Sequence, residues 1–401
     1  MNAAPSASRE RIARAALYLG GFLGPFGGGV LVVLIPELQR TFHASASEVT
    51  AGITVYLLPF AALQLVSGTL GERLGRARTI RSAYVVYAVT SFGTALVSSI
   101  VPFLAMRAVL GAANAFTSPL LLAALAESIG EDRLGRSMGT FAAVQTAGMV
   151  MAPLCGGLIG AIDPRLAFAL PGVAAVFLAA APLPAGARAA GRATRARVRD
   201  AFNRRSAAVA VAGFLAFLAL NGLAFLVALR AAQRFGLDTT ARGILLAGFG
   251  LAGVLAGRPA GGLVDRSSPC PVVAAGALLC AAMVAALGIT GNVVVMAALW
   301  LAAGAGSAFV WAGLNTLAVQ SAPENRGGAI SVVGAFKFAG SALGPLVWLP
   351  LYAAHAELAF ATAGAACAAI ALVVLSLRGG PRRVAMAASE RARATAAAAQ
   401  Q

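Results

Sequence analysis

The sequence predicts an all-α membrane protein whose twelve transmembrane helices form two pseudo-symmetric six-helix bundles. Three observations carry that expectation. The 401 residues are 59% hydrophobic and only 11% charged, with a mean hydropathy of +0.83, so the bilayer must be the solvent for much of the chain. Apolar segments continue from Leu17 to Leu377 with only short polar interruptions, which leaves no room for a soluble catalytic domain. Loops at corresponding positions of the two halves resemble one another.

An apolar helix needs about 20 residues to cross the hydrocarbon layer. The first six candidate spans are Leu17 to Leu38, Val49 to Leu70, Thr79 to Val97, Val101 to Leu125, Met138 to Ala161 and Leu166 to Leu183. The second six are Ser206 to Leu229, Ala241 to Pro259, Pro271 to Thr290, Val293 to Val319, Ala329 to Tyr352 and Leu358 to Leu377. The expected organisation is a cytoplasmic N-terminal tail (1–16), a six-helix bundle (17–183), a basic cytoplasmic linker (184–205), a second bundle (206–377) and a cytoplasmic C-terminal tail (378–401). Three arginines precede the first apolar run, but that run is longer than a signal-peptide core, and Pro36-Glu37 is not a small-residue cleavage site.

Basic residues set the orientation. The N-terminal side of the spans carries 24 of the 31, seven of them in the central linker, whereas the opposite side has only Arg40, Arg165, Arg230, Arg234 and Arg242. Both termini are therefore expected in the cytoplasm of a bacterial-type inner membrane. The same distribution answers the net charge of +17: the basic residues lie between apolar stretches and in tails, not on a folded nucleic-acid-binding patch. Cys155, Cys270, Cys280 and Cys367 lie in or beside apolar segments without C-x-x-C spacing, so neither a metal site nor a disulfide framework is expected. His43 and His355 sit in outer loops and join no catalytic group, which argues against an enzyme.

Glycine and proline are dense within the spans, as in Gly24-Pro25-Phe26-Gly27-Gly28-Gly29 and Gly344-Pro345. In a membrane bundle, small residues permit close backbone approach. After the second span the chain reads Gly68-Thr69-Leu70-Gly71-Glu72-Arg73-Leu74-Gly75-Arg76-Ala77-Arg78, and after the eighth Gly261-Gly262-Leu263-Val264-Asp265-Arg266. A looser pair is Glu131-Asp132-Arg133 with Gly135, against Glu324-Asn325-Arg326 with Gly327. The glycines permit a tight turn, and the acid and arginines can make charge-assisted bonds that hold two bundles in one state and release them in another.

On these residues the chain resembles the major facilitator superfamily, in particular its twelve-helix drug/proton antiporter branch. That family's loop between helices two and three has the form G-x-L-[A/G]-D-R-x-G-R-[R/K], which Gly68, Leu70, Gly71, Arg73, Gly75 and Arg76 match; Glu72 replaces the usual aspartate and Ala77 occupies the next basic position. Arg107 and Gly111 resemble the arginine and glycine of the family's fourth helix. Gly139, Gly148, Ala152, Pro153 and Gly156 resemble the fifth-helix pattern of the exporter branch, with Ala152 in place of a glycine, and Asp163-Pro164-Arg165 the polar turn before helix six. The resemblance implies secondary active export of a small organic or drug-like compound by proton antiport through alternating access. The proton gradient would be the energy source, and no cofactor is expected. The chain is expected to act as a monomer.

Two cations fall deep inside spans, away from their ends. Arg107 lies roughly 9 Å into the fourth, and Lys337, the only lysine in the chain, roughly 12 Å into the eleventh. Intramembrane charges are costly and mark function. The resemblance implies a part for Arg107 in proton coupling or in bonding to neighbouring backbone, while Lys337 is expected to face the central cavity. None of the 14 acids lies near the middle of a span; Glu37 and Glu48 flank the outer mouth. The expected substrate therefore shifts from organic cations toward neutral, zwitterionic or anionic compounds, and an importer or facilitator of a small organic anion bound by Lys337 is the alternative. Further cavity candidates are Phe26, Tyr56, Gln64, Asn114, Gln145, Asn221, Trp311, Asn315 and Phe336.

Overall fold

The computed structural model describes residues 7–128, 131–184, 203–322 and 326–379. Most of the basic linker and of the C-terminal tail lies outside the described residues, as do Glu324-Asn325, the side chains of Arg133, Arg136 and Arg326, and the surroundings of Gly139.

Among the described residues the chain is helical and contains no strand. The first half comprises α1 (Ala7–Gly29), α2 (Ile35–Phe42), α3 (Ala46–Leu74), α4 (Arg76–Leu96), α5 (Ile100–Ala115), α6 (Ser118–Ser128), α7 (Glu131–Gly160) and α8 (Leu166–Ala180). The second comprises α9 (Arg204–Ala216), α10 (Ala224–Phe235), α11 (Thr239–Arg266), α12 (Pro269–Ile289), α13 (Val293–Ser321), α14 (Arg326–Ala354) and α15 (Ala356–Leu375). Among the described residues ten spans are long and apolar enough to cross a membrane, with α5–α6 and α9–α10 each forming one of them. The other two predicted spans are α4, whose 21 residues include Arg76, Arg78 and Arg81, and α8, whose 15 residues are apolar but reach only about 22 Å.

Local chemistry explains where the helices stop. The first predicted span, Leu17 to Leu38, is broken: α1 ends in the glycine run at Gly29, a 3₁₀ turn covers Val30–Val33, and Pro36, which lacks an N–H, opens the separate helix α2. Ser45 caps α3 in a reciprocal box, accepting from the Glu48 N–H at 3.2 Å while the Glu48 carboxylate accepts from the Ser45 N–H at 2.8 Å. Gly75 makes the whole turn between α3 and α4 at φ 93°, a conformation open to glycine and strained for other residues. The seventh span, α9–α10, is interrupted by a π-turn over Phe217–Asn221, where Leu218 gives its carbonyl to the Trp348 indole N–H at 2.8 Å.

The two ends of the molecule are called here the Gly75 face and the Glu37 face, after a residue at each. Near the Gly75 face each half has its own core: Leu17, Tyr84, Leu110, Leu121 and Phe141 in the first, Val209, Val273, Leu314, Val333 and Ile370 in the second. Toward the Glu37 face a single core joins both halves, with Val30, Leu34, Leu38 and Phe103 packed in one cluster with Leu220, Leu226, Trp300, Trp348 and Phe360. The halves meet where α7 crosses α11 and where α3 crosses α14.

Candidate functional site: the cleft between the two halves

The α7–α11 crossing depends on glycine. A Cβ at Gly157 would stand 2.6 Å from the Thr239 carbonyl oxygen, and one at Gly243 2.5 Å from that of Pro153, so the two backbones touch. Of the predicted fifth-helix pattern, Pro153 belongs to this crossing, while three others face α1 and the 3₁₀ turn after it: a Cβ at Gly148 would meet the Phe22 carbonyl oxygen, Gly156 packs on Val30 and Val33, and Ala152 stands against Gly29. Further along α11, Gly257, Gly261 and Gly262 have nothing within 4 Å of where a Cβ would be. The cleft therefore closes toward the Glu37 face and parts toward the Gly75 face.

An ion pair between the halves accompanies the closed end. Glu37 on α2 pairs with Arg242 in the first turn of α11, and Thr239 donates to the same carboxylate oxygen at 2.8 Å. Arg242 also donates to the carbonyls of Val33 and Asp238, each at 3.1 Å, and is buried. The second Glu37 oxygen is buried and has no hydrogen-bond partner.

The other crossing forms the roof of the cleft. Thr54 on α3 donates to the Ala342 carbonyl on α14 at 2.6 Å, and Phe60 meets Phe338 edge to face at 4.7 Å between centroids. Phe338 continues to Phe217 at 5.6 Å, and Phe217 to Trp311 at 4.7 Å, so four rings run unbroken from α3 to α13. Lys337, beside Phe338, lies under this roof with its ammonium 5.3 Å from the Phe217 centroid and 5.1 Å from that of Trp311, and 3.5 Å from the Asn315 Oδ1. Gln64 follows Phe60 by one turn of α3; its Oε1 is buried without a partner. On α14 one turn before Phe338, Gly334 faces open space.

The remaining predicted residues are scattered among different environments. Arg107 is not in the cleft: it is buried inside the first bundle, donating to the carbonyls of Gly52 at 3.3 Å, Gly27 at 3.1 Å and Gly28 at 3.4 Å, with Tyr56 stacked on its guanidinium at 4.3 Å. Tyr56 and Asn114 belong to the same interior, joined at 3.1 Å, and Tyr56 donates on to the Gly24 carbonyl. Phe26 is buried against Phe22, Gln145 is half-buried on α7, Phe336 is exposed, and Asn221 sits in the π-turn with its Oδ1 buried and unpartnered.

At the Gly75 face the repeated loops differ. Arg76 is buried and pairs with Glu72 and, through both guanidinium nitrogens at 2.8 Å, with Glu127 at the end of α6. That bidentate bond holds the Glu127 carboxyl below the usual carboxylate range. Gly71 packs on Leu120, Gly68 lies near Pro119, and Arg73 is exposed. The second predicted loop, Gly261 to Arg266, is instead the last part of α11, because the helix runs on to Arg266; there Asp265 and Arg266 are both exposed and make no ion pair among the described residues. Sequence reasoning missed Glu127, which follows the predicted fourth span by two residues, set Arg230 just beyond the seventh predicted span, and placed Arg242 at the outer end of the eighth without its partner Glu37. Both arginines are helical, Arg230 donating to the Gly288 carbonyl at 2.6 Å.

Comparison with known proteins agrees with this architecture. The family model of the Major Facilitator Superfamily matches residues 17–238 and 209–400. The drug efflux pump JefA of Mycobacterium tuberculosis is 30% identical over 152 residues, which is 38% of this chain and 30% of that protein. The multidrug efflux pump LfrA of Mycolicibacterium smegmatis is 32% identical over 154 residues, again 38% of this chain and 30% of that protein. The chain thus matches less than a third of the length of each of these relatives. In fold, a partially occluded inward-open structure of the xylose transporter XylE from E. coli superposes with a TM-score of 0.74 at 15% identity, over 94% of this chain and 99% of that one. With its two halves matched and its fold shared, the chain belongs to the Major Facilitator Superfamily and resembles its drug/proton antiporter branch.

Proposed function

We propose that the protein exports a small organic, drug-like compound by proton antiport through alternating access, acting as a monomer in a bacterial-type inner membrane with both termini and the Gly75 face in the cytoplasm. The observation that carries this reading is the division of the cores: one core spans both halves at the Glu37 face, and two separate cores stand apart at the Gly75 face. A cleft open only toward the Gly75 face receives substrate from the side on which basic residues are concentrated. The efflux pumps among its relatives and the small-residue pattern on α7 support the outward direction.

Opening to the other side requires α7 and α11 to separate and Arg242 to leave Glu37. A proton on Glu37 would remove the charge that Arg242 pairs with, so inward proton flow at this latch can bias the equilibrium toward release. Arg107, with three carbonyls around it, is a structural anchor in this scheme. A second reading, import of a small organic anion, is favoured by Lys337 under the roof of a cleft in which no acid lies close enough, among the described residues, to pair with it.

The test is transport in everted membrane vesicles and in proteoliposomes with an imposed pH gradient. Gradient-driven uptake into everted vesicles is expected; accumulation in intact cells alone would overturn export. Lys337→Ala is expected to change selectivity or rate, and unchanged selectivity, rate and pH dependence would remove Lys337 from the mechanism.

A further inference from the structure

Lys337 is placed with unusual provision for its chain. Gly213 on α9 makes room for the stem, since even a Cβ there would stand 3.1 Å from the Lys337 Cγ. The ammonium faces two aromatic rings and one amide oxygen. Rings stabilise a cation through their quadrupoles but are poor hydrogen-bond acceptors, so among the described residues an ammonium with three donors has one polar side-chain partner within reach, at 3.5 Å. No carboxylate pairs with it among the described residues. A half-buried cation without a counter-ion is costly. Lys337 borders the cleft, from which the missing group can arrive.

The neighbours define what would complement the site. With its Oδ1 turned to Lys337, the Asn315 amide still has its Nδ2 hydrogens to offer, so ammonium and amide together present donors for two oxygens of one carboxylate. Beside them runs the ring series Phe60, Phe338, Phe217 and Trp311, which presents apolar and edge-to-face surface for a flat hydrophobic body. An organic cation would meet like charge and no acid. A neutral compound would satisfy the rings and leave the ammonium uncompensated.

We propose that the cleft binds amphipathic aryl carboxylates, the carboxylate held by Lys337 and Asn315 and the aryl body lying along the Phe217–Trp311 wall. This names the substrate class of the cleft described above and rests on its being the transport site. It does not depend on the direction of transport.

The experiment is isothermal titration calorimetry on the full chain in lipid nanodiscs, with no gradient, using 4-phenylbutyrate, its neutral amide and the matching amine. The acid is expected to bind at least about tenfold tighter than the amide, equivalent to about 1.4 kcal/mol, and the amine more weakly still. Lys337→Gln is expected to bring acid and amide within about threefold of each other, while Lys337→Arg keeps part of the preference. Asn315→Asp, which sets a carboxylate beside the ammonium, is expected to abolish binding of the acid and to admit the amine. It keeps the test decisive if Lys337→Gln fails to fold. Equal affinity for acid and amide, preference for the amine, no heat with any of the three, or a Lys337→Gln protein that retains the preference would each overturn the proposal. An importer that passes this test would overturn the export reading and leave the substrate class standing.

Discussion

The Glu37 and Gly75 faces both carry a buried arginine paired with a glutamate, yet the pairs act between different partners. At the Glu37 face, Arg242 reaches across from the second half to Glu37 in the first, over a core that belongs to both. At the Gly75 face, Arg76 binds Glu72 and Glu127, all within the first half, and the cores beneath are separate. The same chemistry therefore latches two bodies together at one end and rigidifies one body at the other. Where the opposing charge sits decides which: a pair within one rigid unit cannot report on the relative position of two.

The largest effect on this contrast is expected from crowding the glycine crossing. Gly243→Val places side-chain atoms against the Pro153 carbonyl, where even a Cβ would stand at 2.5 Å, and should lower transport by at least about tenfold, because backbone cannot yield as a side-chain end can. Proteoliposome flux measures it, and unimpaired flux would mean that α7 and α11 do not need this contact.

Next in size is the latch. Arg242→Ala strands a largely buried carboxylate, and removing one partner of a buried pair typically costs about 3–5 kcal/mol. Exposure of Glu37 to water trims that toward the lower figure, which still moves a two-state equilibrium by roughly 100-fold. Alkylation of a cysteine placed at Gly334, in the open cleft, should slow in this background as the Glu37 face opens, and Glu37→Gln should act in the same direction. An unchanged rate would show that the apolar core alone keeps that face closed.

A smaller change is expected at Glu127. Because Arg76 holds its carboxyl below the usual range, the contribution of the pair is complete above the ordinary carboxylate range and is lost as pH falls through the lowered value. The side chain is 38% exposed, so solvent screening keeps the effect modest. Melting temperature followed against pH should flatten in Glu127→Gln on the acid side, with transport direction unaltered. Smallest of all is Asp265→Asn in the last turn of α11. The residue is exposed and has no ion pair among the described residues, so stability should move by no more than about 0.5 kcal/mol. A larger loss would show that the two loops work alike.

Much of the fold was legible because the bilayer imposes a length and a composition on each crossing, and those are written in consecutive residues. What escaped was set by neighbours distant in the chain. Arg107 announces itself as a cation in an apolar run, but its three carbonyl partners come from α1 and α3, and no local pattern distinguishes that anchor from a cleft residue. Tyr56 and Asn114 read as cleft liners for the same reason and instead bond to each other inside the first bundle. Arg242 was placed at the outer end of the eighth predicted span, but its partner Glu37 stands 205 residues away in the chain and could not be read from that position. Glu72 and Arg76 were readable from their spacing of four; Glu127, 51 residues from Arg76, was not. Lys337 was visible from rarity alone, while its aromatic surroundings emerged only when α9 and α13 were brought beside α14.

The π-turn in the seventh span gives that aromatic wall a mechanical setting. Below it, α9 carries Gly213, which accommodates the Lys337 stem; above it, α10 is bound into the core shared by both halves. Phe217 stands at the first position of the turn itself, and Gly222 at its end packs directly on the Gly344 backbone. The ring that touches the lysine is thus mounted on a joint, with a lever on one side and a fixed bearing on the other.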